Sequence, residues 1–143
     1  MTEHPTRRAP GAMTEHPNAA RIRALFAAFH ARDLDAIRDA ISEQAVWHFP
    51  GREGKLAGSH VGHAGIFAFL ARVGALTGGT FALELQDVLA NDHRAVALFR
   101  GRARREGREL DNPTCLVIRL EDGRAVEIHE FVWDLFAVDR FWS

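Results

Sequence analysis

Titratable side chains cluster in one short stretch near the end of the chain, VEIHEFVWD, residues 126–134. The stretch carries Glu127, His129, Glu130 and Asp134 among β-branched and aromatic residues, a composition that predicts a β-strand. Carboxylates and imidazoles are groups that proteins use to move protons near neutral pH. A strand this rich in them either faces water on one side or lines a pocket.

Alternation along the strand predicts which of these groups share a face. Period two places Glu130 and Asp134 with three aliphatic residues, and places His129 on the opposite side unless a bulge shifts the register. The aliphatic side is predicted to face the helices and a pocket. A carboxylate there has its pKa raised by desolvation, which suits it to acid or base chemistry. Asp134 is the first catalytic candidate, the alternative being a structural cap at the strand end, and Glu130 is a second pocket residue.

The strand VWHFPG, residues 46–51, supplies the next candidates. His48 lies on one face, and Trp47 and Phe49 lie on the other. His48 is a candidate proton carrier, as is His129, and a hydrogen-bonded structural role is the alternative. Trp47, Phe49 and Phe67 of a later helix are predicted to form an apolar wall for a ligand, or else plain core.

Two polar residues complete the candidate pocket. Asn112, in ELDNPT, has an amide that can hold a ligand carbonyl or hydroxyl, although turn chemistry before Pro113 also explains it. Arg102, in the arginine-rich hairpin RGRARREGR, is a candidate for binding a ligand carboxylate at the pocket mouth, with a solvated hairpin as the alternative.

Metal and cofactor signatures are weak in this sequence. His60 and His63 form an HxxH pair with no third ligand nearby, and no glycine-rich nucleotide motif occurs. Cys115 is the sole cysteine, so it is predicted to be a small buried residue without a disulfide partner. We expect neither a metal nor a cofactor.

The elements that must position these residues follow from the periodicity. Apolar residues at helical spacing predict three helices, the first capped by Asn18, the second by Asp33, and the third at residues 62–76. The strand QAVWHFPG, residues 44–51, and a glycine-rich loop, residues 52–61, are predicted between the second helix and the third. From Thr80 onward, alternating residues separated by turns predict an antiparallel meander whose last strand covers residues 124–136. The prediction is an α+β fold whose helices cover one sheet face. Ala97, Phe99 and Val117 are predicted on the other face, which is apolar enough to need a second subunit or a cavity.

Length and charge restrict the partners. The chain has 143 residues and a net charge of −1, which favours one domain and argues against nucleic acid or a membrane surface as partner. No run of residues is long and apolar enough for a membrane span, so we expect a cytoplasmic protein. Residues 1–17 repeat the motif MTEHP and are predicted to be disordered, which leaves residues 18–143 as the domain.

The order of these motifs resembles the SnoaL-like branch of the nuclear transport factor two-like superfamily over residues 18–143. The resemblance is carried by RDLDAI, VWHFPG, GHAGIFAFL, EDGRAVEIHEFVWD and AVDRFWS. It implies a cone-like α+β barrel in which a curved antiparallel sheet wraps around the helices and leaves a deep apolar pocket. It also implies an acid near the end of the last strand, the position of Asp134.

Members of this superfamily include isomerases, cyclases, dehydratases and hydrolases, as well as binding proteins. The resemblance implies either a cofactor-independent enzyme acting on a small apolar molecule with a carbonyl or epoxide, or a non-catalytic ligand-binding or dimeric assembly domain. Several catalytic relatives use a tyrosine, which this chain lacks. A homodimer through the outer sheet face is expected in both cases.

Overall fold

A computed structural model of the protein describes residues 15–143. Most of the segment predicted to be disordered, residues 1–14, lies outside the described residues. Glu15 and His16 precede the first helix, which begins at Pro17. His16 is its N-cap, and the Nδ1 atom of His16 accepts a hydrogen bond from the backbone N–H of Asn18 at 3.1 Å. The cap therefore lies two residues before the predicted cap, Asn18.

Four helices are present in the described part of the chain: α1 Pro17–Ala31, α2 Leu34–Ala40, α3 Gly62–Leu76 and α4 Leu135–Trp142. Arg32 ends α1 in the left-handed conformation, with φ of 54°. Asp33 then caps α2, as predicted, because its carboxylate accepts a hydrogen bond from the Ala36 N–H at 3.2 Å. Within residues 15–143, none of the helices combines the length and the apolar character that a bilayer crossing requires.

Six strands form one curved, unclosed sheet in the order β2-β1-β6-β5-β4-β3. Their bounds are β1 Ile41–Phe49, β2 Gly58–Val61, β3 Ala82–Ala90, β4 Arg94–Arg105, β5 Arg108–Glu121 and β6 Arg124–Val132. The predicted meander is confirmed for β3 to β6, and the α+β class is confirmed. The sheet is mixed rather than wholly antiparallel, because β1 pairs with β6 in parallel.

Two elements differ from the sequence-based prediction. Strand β2 lies in the glycine-rich segment predicted as a loop, and it pairs with β1 as a four-residue edge strand. The last strand was predicted to continue through Phe136, but β6 ends at Val132 and α4 follows. Asp134 causes this change of direction, because its carboxylate caps α4 by accepting the Ala137 N–H at 3.0 Å.

The concave face of the sheet holds the core. Ala97 and Phe99 lie on this face, with 0% and 5% of their surface exposed, so the prediction that they lie on the open face is wrong. Alternation in β4 places Val96 and Leu98 on the outer face instead, where Val117 of β5 joins them. The sheet thus has an apolar interior and a partly apolar exterior.

Helix α4 is fixed against one end of the sheet by two polar contacts. The buried guanidinium of Arg105 donates from Nη1 to the carbonyl oxygens of Phe141 and Ser143, at 3.0 and 2.8 Å. The Asp139 carboxylate accepts hydrogen bonds from the backbone N–H groups of residues 52–54. These contacts hold α4 where it closes part of a large cavity.

Candidate functional site

A cavity of about 790 Å³ lies between the concave face of the sheet and the helices. Its size is in the range of small-molecule sites. Most of its wall is aromatic or aliphatic, and it includes Phe26, Phe29, Trp47, Phe49, Phe67, Phe69 and Leu116. Trp47, Phe49 and Phe67 therefore lie where the sequence placed a ligand wall.

Glu130 is the acidic residue of the cavity lining. Strand β6 directs it inward together with Ile128 and Val132, and the side chain keeps some accessible surface because it faces the cavity. The indole Nε1–H of Trp47 donates a hydrogen bond to Glu130 Oε1 at 3.2 Å. Among residues 15–143, this is the one hydrogen bond that the carboxyl receives from the protein. Its second oxygen is therefore available to a ligand.

Burial raises the pKa of Glu130 to about 7, while the hydrogen bond from Trp47 acts in the opposite direction by stabilising the carboxylate. A group with this pKa is present in both protonation states near neutral pH. It can therefore accept a proton from a ligand or donate one to it. The arrangement of Glu130 and Trp47 is the strongest chemical feature of the cavity.

Asn112 also lines the cavity, but its amide is already engaged. Its Oδ1 accepts the Trp133 N–H at 3.1 Å, and its Nδ2 donates to the Asp134 carbonyl at 3.3 Å. The side chain therefore fixes the chain at the point where β6 ends. Thr114 lies beside it on the same face of β5 and bonds to the Asn112 carbonyl.

Asp134 does not line the cavity, which corrects the expectation drawn from strand alternation. Its carboxylate is exposed and caps α4. Alternation holds only while the chain remains a strand, and β6 ends two residues earlier. The structure therefore favours the structural alternative for Asp134.

His48 and His129 lie together on the outer face of the sheet, away from Glu130. Their strands pair in parallel with these two residues in register, and their rings stack with centroids 4.3 Å apart. The His48 Nε2 atom is 3.0 Å from Glu127 Oε2. Neither histidine lines the cavity, so neither is placed to assist Glu130.

Arg102 is also outside the cavity lining. It is exposed on β4, where its Nη1 donates to Glu84 Oε2 on β3 at 3.0 Å. The structure thus favours the solvated-hairpin alternative. The two histidines of the HxxH pair also make structural contacts. The Nε2 atom of His60 is hydrogen-bonded to the carbonyl oxygen of Leu56, and that of His63 to the carbonyl oxygen of Ile41.

Two basic residues that sequence reasoning did not single out line the cavity at the end of α1. His30 and Arg32 are both exposed and both contribute to the wall, so they mark where the cavity meets solvent. Their position in the sequence could have identified them, because they lie at the carboxyl end of an amphipathic helix whose apolar face covers the pocket. The Arg32 guanidinium gives the mouth a positive charge that the apolar interior lacks.

Comparison with known proteins agrees with this geometry. Residues 22–128 match the SnoaL-like domain family. An uncharacterised protein of Mycobacterium tuberculosis is 32% identical over 132 residues, which cover 92% of this chain and 100% of the relative. Bal32a, from a soil-derived mobile gene cassette, is 39% identical with a TM-score of 0.85, over 89% of this chain and 97% of Bal32a.

A further solved structure, that of TerC co-crystallised with polyporic acid, is 26% identical with a TM-score of 0.75. The match covers 88% of this chain and 98% of TerC. Other structures that share the fold are described as NTF2-like proteins, so the predicted superfamily is confirmed. With its family match, its curved sheet and its helix-covered cavity, the chain belongs to the SnoaL-like family.

Proposed function

We propose that the protein is a cofactor-independent enzyme that transfers a proton to or from a small, largely apolar molecule bearing a carbonyl or epoxide. Glu130 is the acid or base. The observation that carries this proposal is the position of its carboxyl in an apolar cavity, with one oxygen bonded to Trp47 and the other available. Glu130 thus takes the role that the sequence alone assigned to Asp134.

The surroundings of Glu130 support this role. An apolar wall raises the basicity of a carboxylate and strengthens its interaction with a proton on a bound ligand. The Trp47 hydrogen bond holds one oxygen in place, so the carboxyl does not need to be ordered during the reaction. Aromatic residues of the wall would pack on the apolar body of the substrate.

Basic residues at the mouth of the cavity would favour a substrate whose polar end lies there. His30 and Arg32 would favour a hydroxyl, carbonyl or carboxylate directed toward solvent. TerC, a relative with this fold, has been co-crystallised with a small organic molecule, polyporic acid. We therefore expect a substrate with an apolar body and at least one oxygen substituent.

The proposal is tested with a nitrobenzisoxazole, a small aromatic probe whose ring opens when a base removes its carbon-bound proton. We expect opening above the buffer rate, increasing with pH around 7, and reduced to the buffer rate in Glu130→Gln. Asp134→Asn is the control and should retain the rate. Equal rates in wild type and Glu130→Gln, with the probe bound in both, would indicate the alternative, a non-catalytic ligand-binding domain.

We also propose that a second copy of the chain covers the part of the outer sheet face that β3, β4, β5 and the Phe131 end of β6 form, which leaves the β1 and β2 side of that face open. Two neighbouring rows of this face are apolar, and Phe131 is 56% exposed. One row consists of Leu89, Val96 and Val117, and the other of Leu98, Cys115 and Phe131. Part of the charge on this face is balanced within the chain, as in the contacts of Arg102 with Glu84 and of Arg100 with Asp111. Exposed apolar surface of this kind is typical of an interface, and two-fold dimers are the commonest homo-oligomers.

A further inference from the structure

The outer face of the sheet carries a second cluster of titratable groups that the proposed reaction does not use. It consists of His48 on β1 and Glu127 and His129 on β6. The parallel register places His48 beside His129 and Val46 beside Glu127. Glu127 and His129 are two residues apart on the same strand face. One ligand atom from each of the three side chains lies within 4.8 Å of the other two.

Ser59 on the neighbouring strand β2 bonds to the other nitrogen of His48. Its Oγ is 2.8 Å from His48 Nδ1, while His48 Nε2 faces Glu127 Oε2 at 3.0 Å. If Nδ1 carries the proton and donates it to Ser59, the Nε2 lone pair is directed at a carboxylate. Two acceptors at that distance need a cation between them, either a proton or a metal ion. A polar partner on the second ring nitrogen is also the usual environment of a metal-bound histidine.

We propose that His48, Glu127 and His129 bind a divalent transition-metal ion such as Zn²⁺. Two imidazoles and one carboxylate form a ligand set that zinc accepts, and three protein ligands leave a further position open. Ligand atoms around tetrahedral zinc are roughly 3.4 Å apart, given bonds of about 2.1 Å. Rotation of the exposed His129 ring and of the Glu127 side chain would close the present separation of up to 4.8 Å.

All three ligands lie on paired strands, so their backbone positions are fixed before the ion binds. By contrast, His16 and Asp92 form a pair of similar length at 2.8 Å without belonging to any such cluster among residues 15–143.

The experiment uses the full chain without a histidine tag, because tag imidazoles would bind the same ions. Zn²⁺ is titrated in competition with a chromophoric chelator, and Co²⁺ absorption reports the coordination. We expect one ion per chain. Ser59→Ala should weaken binding by about 10- to 100-fold, the range typical of losing the partner of a metal-bound histidine, and His129→Ala and Glu127→Gln should each weaken it by more.

His93→Ala is the matched control, since His93 is an exposed histidine outside the cluster, and it should bind Zn²⁺ like the wild type. Thermal unfolding without metal checks that the variants are folded. Binding that is unchanged in His129→Ala, or that never exceeds the chelator control, would overturn the site and leave a His48–Glu127 ion pair. A ratio of one ion to two chains would also overturn it, because the ion would then lie between copies.

Discussion

Trp47 donates its indole N–H to Glu130 across the parallel pair of strands β1 and β6, at 3.2 Å. The two residues are 83 positions apart in the chain. The bond stabilises the ionised carboxyl, whereas burial destabilises it, and burial is the larger effect. Trp47 therefore moderates a pKa that the cavity would otherwise raise further.

Replacing Trp47 by Phe should raise the Glu130 pKa above its value of about 7, because the ring remains and the donor is lost. A hydrogen bond to a charged group contributes about 1.5–3 kcal/mol, so the titration should move upward by about one to two pH units. The shift can be measured from the pH–rate profile of the probe reaction or from the carboxyl resonance in NMR spectra. Phe69→Leu is the control, since Phe69 packs on the Trp47 ring without bonding to Glu130.

The same burial makes the stability of the protein depend on pH. Because the Glu130 pKa is raised from 4.5 to about 7, the folded state binds more protons than the unfolded state between these values. The free energy of unfolding should therefore fall as pH rises from 5 to 8, with this group contributing on the order of 2 kcal/mol.

Glu130→Gln isolates that contribution, because glutamine fills the same space without titrating. Urea unfolding at pH 5 and at pH 8 should show that the substitution stabilises the protein more at pH 8 than at pH 5. Other titrating groups cancel in the difference between the two proteins. An equal effect at both pH values would mean that Glu130 has an ordinary pKa and would weaken the catalytic proposal.

The Asp139 carboxylate should make the stability of the protein depend on pH in the opposite direction. Backbone N–H groups of Gly54, Glu53 and Arg52 bond to its carboxylate and lower its pKa below 3.8. The stability from this group is therefore present above pH 4 and is lost as the pH falls through the lowered pKa. Asp139→Asn should lower the Tm at pH 7 and reduce the loss of Tm on acidification. Asp35→Asn, at the exposed start of α2, is the control and should change neither.

Sequence patterns predicted the features that are set by residues close together in the chain, such as helix caps and helix lengths. The cap at Asp33 and the extent of α3 follow from sequence signals within one or two turns. Alternation also predicts that Glu130 and Asn112 face the cavity, and both residues line it. The parallel pairing of β1 with β6 was not predictable in this way, because it joins segments that no turn connects.

The error over Asp134 has a specific cause. Alternation was extended past Val132, although Asp134 followed by Leu135, Val138 and Trp142 at helical spacing is a capped-helix pattern. The choice between Asp134 and Glu130 as the reactive acid also depends on burial and on Trp47. Both are set by tertiary packing, so residue type and spacing could not decide between them.

The proposed dimer predicts a change of mass when the outer sheet face is charged. Phe131 is 56% exposed, and it lies in the row of β4 and β5 residues that includes Leu98 and Cys115. The wild type should have twice the chain mass of 15.9 kDa in light scattering. Phe131→Asp should shift the mass to that of a single chain, because burying an unpaired carboxylate in an apolar interface is unfavourable.

Leu34→Asp is the control for this substitution, since Leu34 is 56% exposed on α2, which belongs to the helical side of the fold. It adds the same charge without touching the outer face, so the mass should stay at two chains. Circular dichroism of both variants should match the wild type. A single-chain mass for the wild type would contradict the dimer. A dimer that persists in Phe131→Asp and dissociates in Leu34→Asp would place the interface elsewhere on the molecule.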